Sequence, residues 1–133
     1  MSGLSVHKSL YAVFNKSSSV RDEICQHLTY LLNARQGSLV ALPDYGLPDL
    51  LSIFRYLPDG LYDFLKLIKQ NIETYEPRLK NVYVEVCGDV GLNERLQLNI
   101  KAEDIDHQTI LFKVILAPTE VVSVEAISVV PAM

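Results

Sequence analysis

Tryptophan is absent from this 133-residue sequence, cysteine occurs twice and histidine three times. Each scarcity removes a class of function. Sugar-cleaving sites use broad aromatic platforms beside paired carboxylates, and a chain without tryptophan lacks the broadest of them. Cys25 and Cys87 fit no CxxC spacing, so neither a zinc site nor a disulfide framework is expected, and a reducing compartment is the simpler reading. His7, His27 and His107 lie in separate segments without the i, i+4 pairing that sets two metal ligands on one helical face. Basic residues are also in deficit: Lys and Arg number 12 against 16 Asp and Glu, for a net charge of −4. Phosphate recognition needs clustered cations, so nucleic acid is not an expected partner. No apolar run is long enough to cross a bilayer, because Lys113, Pro118, Glu120 and Glu125 interrupt the most apolar stretch, from Ile110 to Val130. Nothing near the N-terminus reads as an export signal, and a cytoplasmic location is expected.

What remains is 49% apolar and 21% charged, the composition of one domain with a real core. Residues 1–18 read as an N-terminal arm, with a short helix expected over His7 to Asn15, and residues 19–133 read as a single α+β domain. Its helical half spans 19–76 and its sheet half 79–130. Ser19 is the expected N-cap of a helix in which Val20, Ile24, Leu28, Leu31 and Leu32 recur at helical spacing up to Arg35, with Gly37 closing it. Leu42, Pro43, Asp44, Tyr45, Gly46, Leu47, Pro48 and Asp49 form a shaped loop, since two prolines and a glycine forbid regular helix there. A second, short helix is expected with Pro48 at its first position. A third begins near Asp59 or Gly60, where Leu61, Phe64, Leu65, Ile68, Ile72 and Tyr75 make an apolar stripe.

After Pro77 the period becomes two. Val82, Val84 and Val86 alternate with polar neighbours, as do Leu96, Leu98, Ile100 and Ala102, and Gly88 to Glu94 connects the two runs. Strands are also expected over Ile110 to Ala117 and Val121 to Val130. Helices before strands, with short connections, predict three helices and the short N-terminal one packed on one face of a mainly antiparallel sheet of about four strands.

No residues have the spacing of a catalytic, cofactor or metal site. Gly88-Asp89-Val90-Gly91 is too short and too acidic to cradle phosphate. Glu73, Glu76, Glu85, Asp104 and Asp106 offer carboxylates for a small cell-wall glycan hydrolase, and that alternative stays open at this point. The informative stretch is Tyr75-Glu76-Pro77-Arg78-Leu79. Pro77 disfavours helix at Glu76, so a rigid corner holds an acid and a base at the junction of the two halves. One reading is a helix stop with two solvated charges; the other is a guanidinium and carboxylate poised for recognition.

Glu76-Pro77-Arg78 lies between a long helix and a strand of alternating valines, downstream of Leu31-Leu32-Asn33-Ala34-Arg35-Gln36-Gly37-Ser38 and of Leu42-Pro43-Asp44-Tyr45-Gly46-Leu47-Pro48-Asp49-Leu50. This arrangement resembles the wedge and sheath-initiator proteins of contractile-tail baseplates, and among them the TssE proteins of type VI secretion systems, over residues 10–117. The resemblance implies a non-catalytic cytoplasmic subunit that sits beside TssF, TssG and TssK and starts polymerisation of the TssB and TssC sheath by strand addition. It also implies that Glu76, Pro77 and Arg78 bind a neighbouring subunit, Glu76 and Arg78 through salt bridges, so that Arg78→Ala leaves a folded domain with weakened binding to its partners. Residues 42–49 are a second candidate contact. The equivalent protein of a phage tail or injection particle shares fold and mechanism, and a generic adaptor is a further alternative.

Overall fold

The structure is a computed structural model that describes residues 16–88 and 95–130. The helix expected over His7 to Asn15, the connection from Asp89 to Glu94 and the last three residues lie outside the described residues. Among the described residues three helices precede four strands: α1 (Lys16–Asn33), α2 (Leu50–Arg55), α3 (Leu61–Tyr75), β1 (Lys80–Cys87), β2 (Leu96–Glu103), β3 (Thr109–Leu116) and β4 (Ser123–Val130). The strands pair antiparallel in chain order, β1-β2-β3-β4, so β1 and β4 are the two edges. This is the α+β architecture that the periodicities predict.

The core forms where two periods meet. Every third or fourth residue of α1 and α3 falls on one side, and every second residue of a strand does. Ile24, Leu28, Leu31 and Leu32 of α1 and Phe64, Ile68 and Ile72 of α3 are thereby buried against Leu96, Leu98, Ile100, Ile110, Phe112 and Val114. The central strands carry the most completely buried residues because they are covered by helices above and flanked on both sides. Helix α1 lies over β4 and α3 over β1, with the two helices also in contact. Helices α1 and α3 thus share one face, and the other face of the sheet carries Tyr83, Glu85, Lys101 and Glu125 toward solvent.

Three local boundaries differ from expectation. Helix α1 starts at Lys16, which places Ser19 inside its first turn rather than at its cap, and it ends at Asn33 because Arg35 leaves to form a parallel bridge with Leu47. Gly37 does adopt a positive φ of 88°, but it turns a loop instead of capping a helix: its N–H donates to the Pro43 carbonyl at 3.0 Å. Pro48 stands before α2 rather than in it, because the Asp49 carboxylate accepts the Leu51 N–H at 3.3 Å and sets the N-cap there.

One tether escaped the sequence altogether. The Asn33 side-chain amide pairs with the backbone of Val122 as a strand would, accepting its N–H at 2.7 Å and donating to its carbonyl at 2.9 Å. The end of α1 is thus fastened to the β3–β4 connection, 89 residues away in sequence. Val122 is buried, so removal of the amide orphans two backbone groups. Asn33→Ala is expected to lower stability by about 1 to 2 kcal/mol, read as a shift of the urea midpoint at unchanged slope.

Candidate functional site

Helix α3 ends because the residue before a proline is driven out of α geometry. Glu76 takes φ −125° and ψ 81°, with its own N–H still bonded to the Ile72 carbonyl at 2.9 Å. That turn swings its side chain back under α1, where it is only 1% exposed. A buried carboxylate without partners would be very costly, and this one has four donors. Arg78 donates its backbone N–H to Oε1 at 3.2 Å, its Nε to Oε1 at 2.8 Å and an Nη to Oε2 at 2.9 Å. His27 of α1 places Nδ1 at 2.7 Å from Oε2. Two carboxylate oxygens offer about four lone-pair positions, so the group is saturated.

The Glu-Pro-Arg corner is therefore closed upon itself by a two-pronged guanidinium fork, and it clamps α1 to the helix–sheet junction. Arg78 keeps about a third of its side chain exposed, at 34%, and its other Nη donates to the exposed Glu23 of α1 at 3.2 Å. Pro77 is exposed at the apex. Glu76 has no acceptor position to spare, and Pro77, Arg78 and Glu23 are the groups of the corner that reach solvent. Glu23 and His27 sit four residues apart on one helical face, a spacing visible in the sequence. Nothing in the sequence pairs that face with a residue 49 positions downstream.

Residues 42–49 divide into two parts. Leu42, Pro43 and Asp44 are exposed, and with Leu39 and Val40 they make an apolar tip in which Val40 is 99% exposed. Tyr45, Pro48 and Asp49 are half-buried, while Gly46 and Leu47 are buried. Gly46 has φ 101°, and a Cβ there would stand 2.4 Å from the Ala34 carbonyl oxygen. Its N–H donates to Oδ1 of the buried Asn71 at 2.9 Å. The Tyr45 ring packs edge-on against Tyr75, with centroids 5.1 Å apart, and its hydroxyl lies 3.4 Å from Nε2 of His27. Loop, corner and α1 are therefore one connected assembly, joined through His27.

Electrostatically the corner is set for permanent charge. Burial alone pushes the Glu76 carboxyl up, but the bonds from Arg78 and His27 outweigh it and hold the group below its ordinary value of 4.5. Burial, and then the Glu76 charge, push the Tyr45 hydroxyl up, so it stays protonated. A carboxyl held ionised is the reverse of the raised general acid that glycoside cleavage uses. Asp104, the other buried carboxylate, accepts the N–H groups of Asp106 and Gln108, both at 2.9 Å, and shapes the β2–β3 turn. Glu73, Glu85 and Asp106 are exposed. Among the described residues, no cluster of three or more His, Cys, Asp or Glu is arranged to hold a metal ion.

Removing the fork leaves Glu76 buried with one side-chain donor. Arg78→Ala is expected to keep the fold but lose about 2 kcal/mol, a value reduced for the exposure of Arg78, with a lower melting temperature as readout. Because the folded Glu76 carboxyl titrates below its unfolded counterpart, its contribution is complete above the ordinary value of 4.5 and vanishes as pH falls through the depressed one. The stability gap between the wild-type chain and Glu76→Gln is expected to be widest near neutral pH and to close in acid, followed by thermal melts across pH. Gly46→Ala is expected to cost at least about 2 kcal/mol, since its backbone neighbour cannot move aside, and denaturant titration measures it.

Comparison with known proteins agrees with this architecture. The family model for baseplate wedge protein gp25 matches residues 18–109, which include most of α1, the shaped loop, α2, α3, the corner and the first two strands. A chain in the baseplate complex from the type VI secretion system is 28% identical, with a TM-score of 0.59, covering 68% of this chain and 78% of that one. A putative tail lysozyme from Geobacter sulfurreducens shares the fold at 17% identity and TM-score 0.60, covering 76% of this chain and 93% of that one. No curated protein matches the sequence. The expected relationship holds: with more than half of its length matched, including the corner, this chain belongs to the gp25 family of baseplate wedge proteins.

Proposed function

We propose that this baseplate subunit anchors the contractile sheath of a type VI secretion system and starts its polymerisation. The observation that carries the reading is that, among the described residues, β1 and β4 each have one unpaired side in a sheet covered on one face by α1 and α3. An edge strand presents unpaired main-chain donors and acceptors, a ready template for an incoming strand. Strand β3 is paired on both sides, so of the two C-terminal strands only β4 offers such an edge. Glu125 is its one charged residue, and Val124, Ile127, Val129 and Val130 give it the β-branched character that strands prefer. The first TssB–TssC ring adds to this border.

The 28% identity to a chain of a type VI baseplate complex favours a secretion system over a phage tail. In this reading TssF, TssG and TssK are the wedge neighbours. Pro77, Arg78 and the adjoining Glu23 touch one of them, and the apolar tip made by Leu39, Val40 and Leu42 seats in another. Glu76 sets the angle between α1 and the sheet instead of reaching outward. The chain works in the cytoplasm without catalysis or cofactor; among its described residues no helix is long and apolar enough to cross a membrane.

Ile127 is the test position. It is the unpaired residue where the β3–β4 register shifts, and it is 45% exposed. Ile127→Lys places a charge on the border without opening the core. In a reconstitution with the wedge and purified TssB and TssC, the number of sheaths counted by electron microscopy is expected to fall by about tenfold or more, equivalent to at least about 1.4 kcal/mol of nucleation. Unchanged circular dichroism keeps the result interpretable. Sheath counts equal to wild type would overturn initiation through β4, and dose-dependent clearing of a cell-wall suspension would overturn the non-catalytic reading.

A further inference from the structure

The opposite edge has different chemistry. Between α3 and β1 runs a groove of about 450 Å³, walled by Tyr62, Leu65, Lys66 and Lys69 on the helix and by Tyr83 and Val84 on the strand. Its floor is apolar, and two tyrosines stand at its rim, 76% and 54% exposed. Lys66 and Lys69 are exposed and form no ion pair among the described residues, although the chain as a whole is acidic. One side of the groove is the border of β1, which is unpaired among the described residues.

We infer that this groove docks an extended acidic segment of a partner protein, which adds to β1 as a fifth strand. Alternation fixes which of its residues face where. Side chains of the added strand on the helix side come beside Lys66 and Lys69, and those on the other side come beside Tyr83 and Glu85. Carboxylates belong on the helix side, where they meet unpaired ammonium groups. The outward side must be apolar or aromatic, because Glu85 repels acid there while Tyr83 offers a ring to pack on. The partner is thus a segment in which acidic and apolar residues alternate. Strand addition supplies the affinity and the two lysines choose the partner. Nearly uncharged β4 lacks this selectivity, so the two edges take different strands. The inference holds whether or not β4 starts a sheath.

The test is fluorescence anisotropy of the full chain with a dye-labelled ten-residue peptide alternating Glu with Val or Tyr, against the same peptide with Lys for Glu. The acidic peptide is expected to bind at least about tenfold more tightly than the basic one, and to weaken as salt rises from low to high. The double variant Lys66→Glu, Lys69→Glu should reverse that preference, which loss of folding cannot do. A proline at the centre of the acidic peptide removes a ladder donor and should abolish binding. Equal binding of both peptides, an unchanged preference in the double variant, or tolerance of the proline would overturn the proposal. So would a concentration-dependent dimer in sedimentation that the double variant loses, because the groove then belongs to a second copy of this chain.

Discussion

The Glu76 carboxylate is the constraint around which the molecule is assembled. It is ionised, buried to 1% and satisfied by donors from two segments, His27 of α1 and Arg78 just beyond α3. A buried charge is stable only while every partner stays in place, so the helical half and the sheet half are held in one relative orientation. Pro77 makes this possible by stopping α3 at the one residue whose side chain then turns inward. The same proline leaves Arg78 with one face on Glu76 and the other toward Glu23 and solvent.

From that centre the fixed geometry spreads outward. His27 connects the carboxylate to Tyr45, Tyr45 packs on Tyr75, and Gly46 lies so close to Ala34 that no side chain fits between them. The inner half of the 42–49 loop is thereby structural, and its outer half projects as an apolar tip. The exposed tip keeps a defined position because the base of the loop is packed. Asn33 does the same at the other end, tying α1 to Val122 ahead of β4. Both edge strands are thus held against helices, β1 under α3 and β4 under α1.

The two edges then differ in what they display. β4 is β-branched and nearly uncharged, suited to strand pairing with little discrimination. β1 is overlooked by two lysines and two tyrosines and discriminates by charge. A sheet bordered in this way presents two chemically different edges, the condition for telling two strands apart.

Much of this was legible in the residues. Apolar spacing located α1, α3 and the four strands, because a helix and a strand bury their side chains with different periods. The Pro-Asp-Tyr-Gly segment and the Glu-Pro-Arg corner stood out because proline and glycine restrict the backbone wherever they occur. The starts of α1 and α2 were misplaced, since capping is a competition among neighbouring candidates that tertiary contacts decide. The pairings of His27, Asn33 and Asn71 are not legible in the sequence because their partners lie 49, 89 and 25 residues away. By itself, then, the sequence determined the elements, the class and the place of the corner, all set by local backbone preference and hydrophobic period. Only the tertiary structure decided that Glu76 turns inward and that β1 and β4 are the edges of the described sheet, because burial and edge position depend on what packs across the fold.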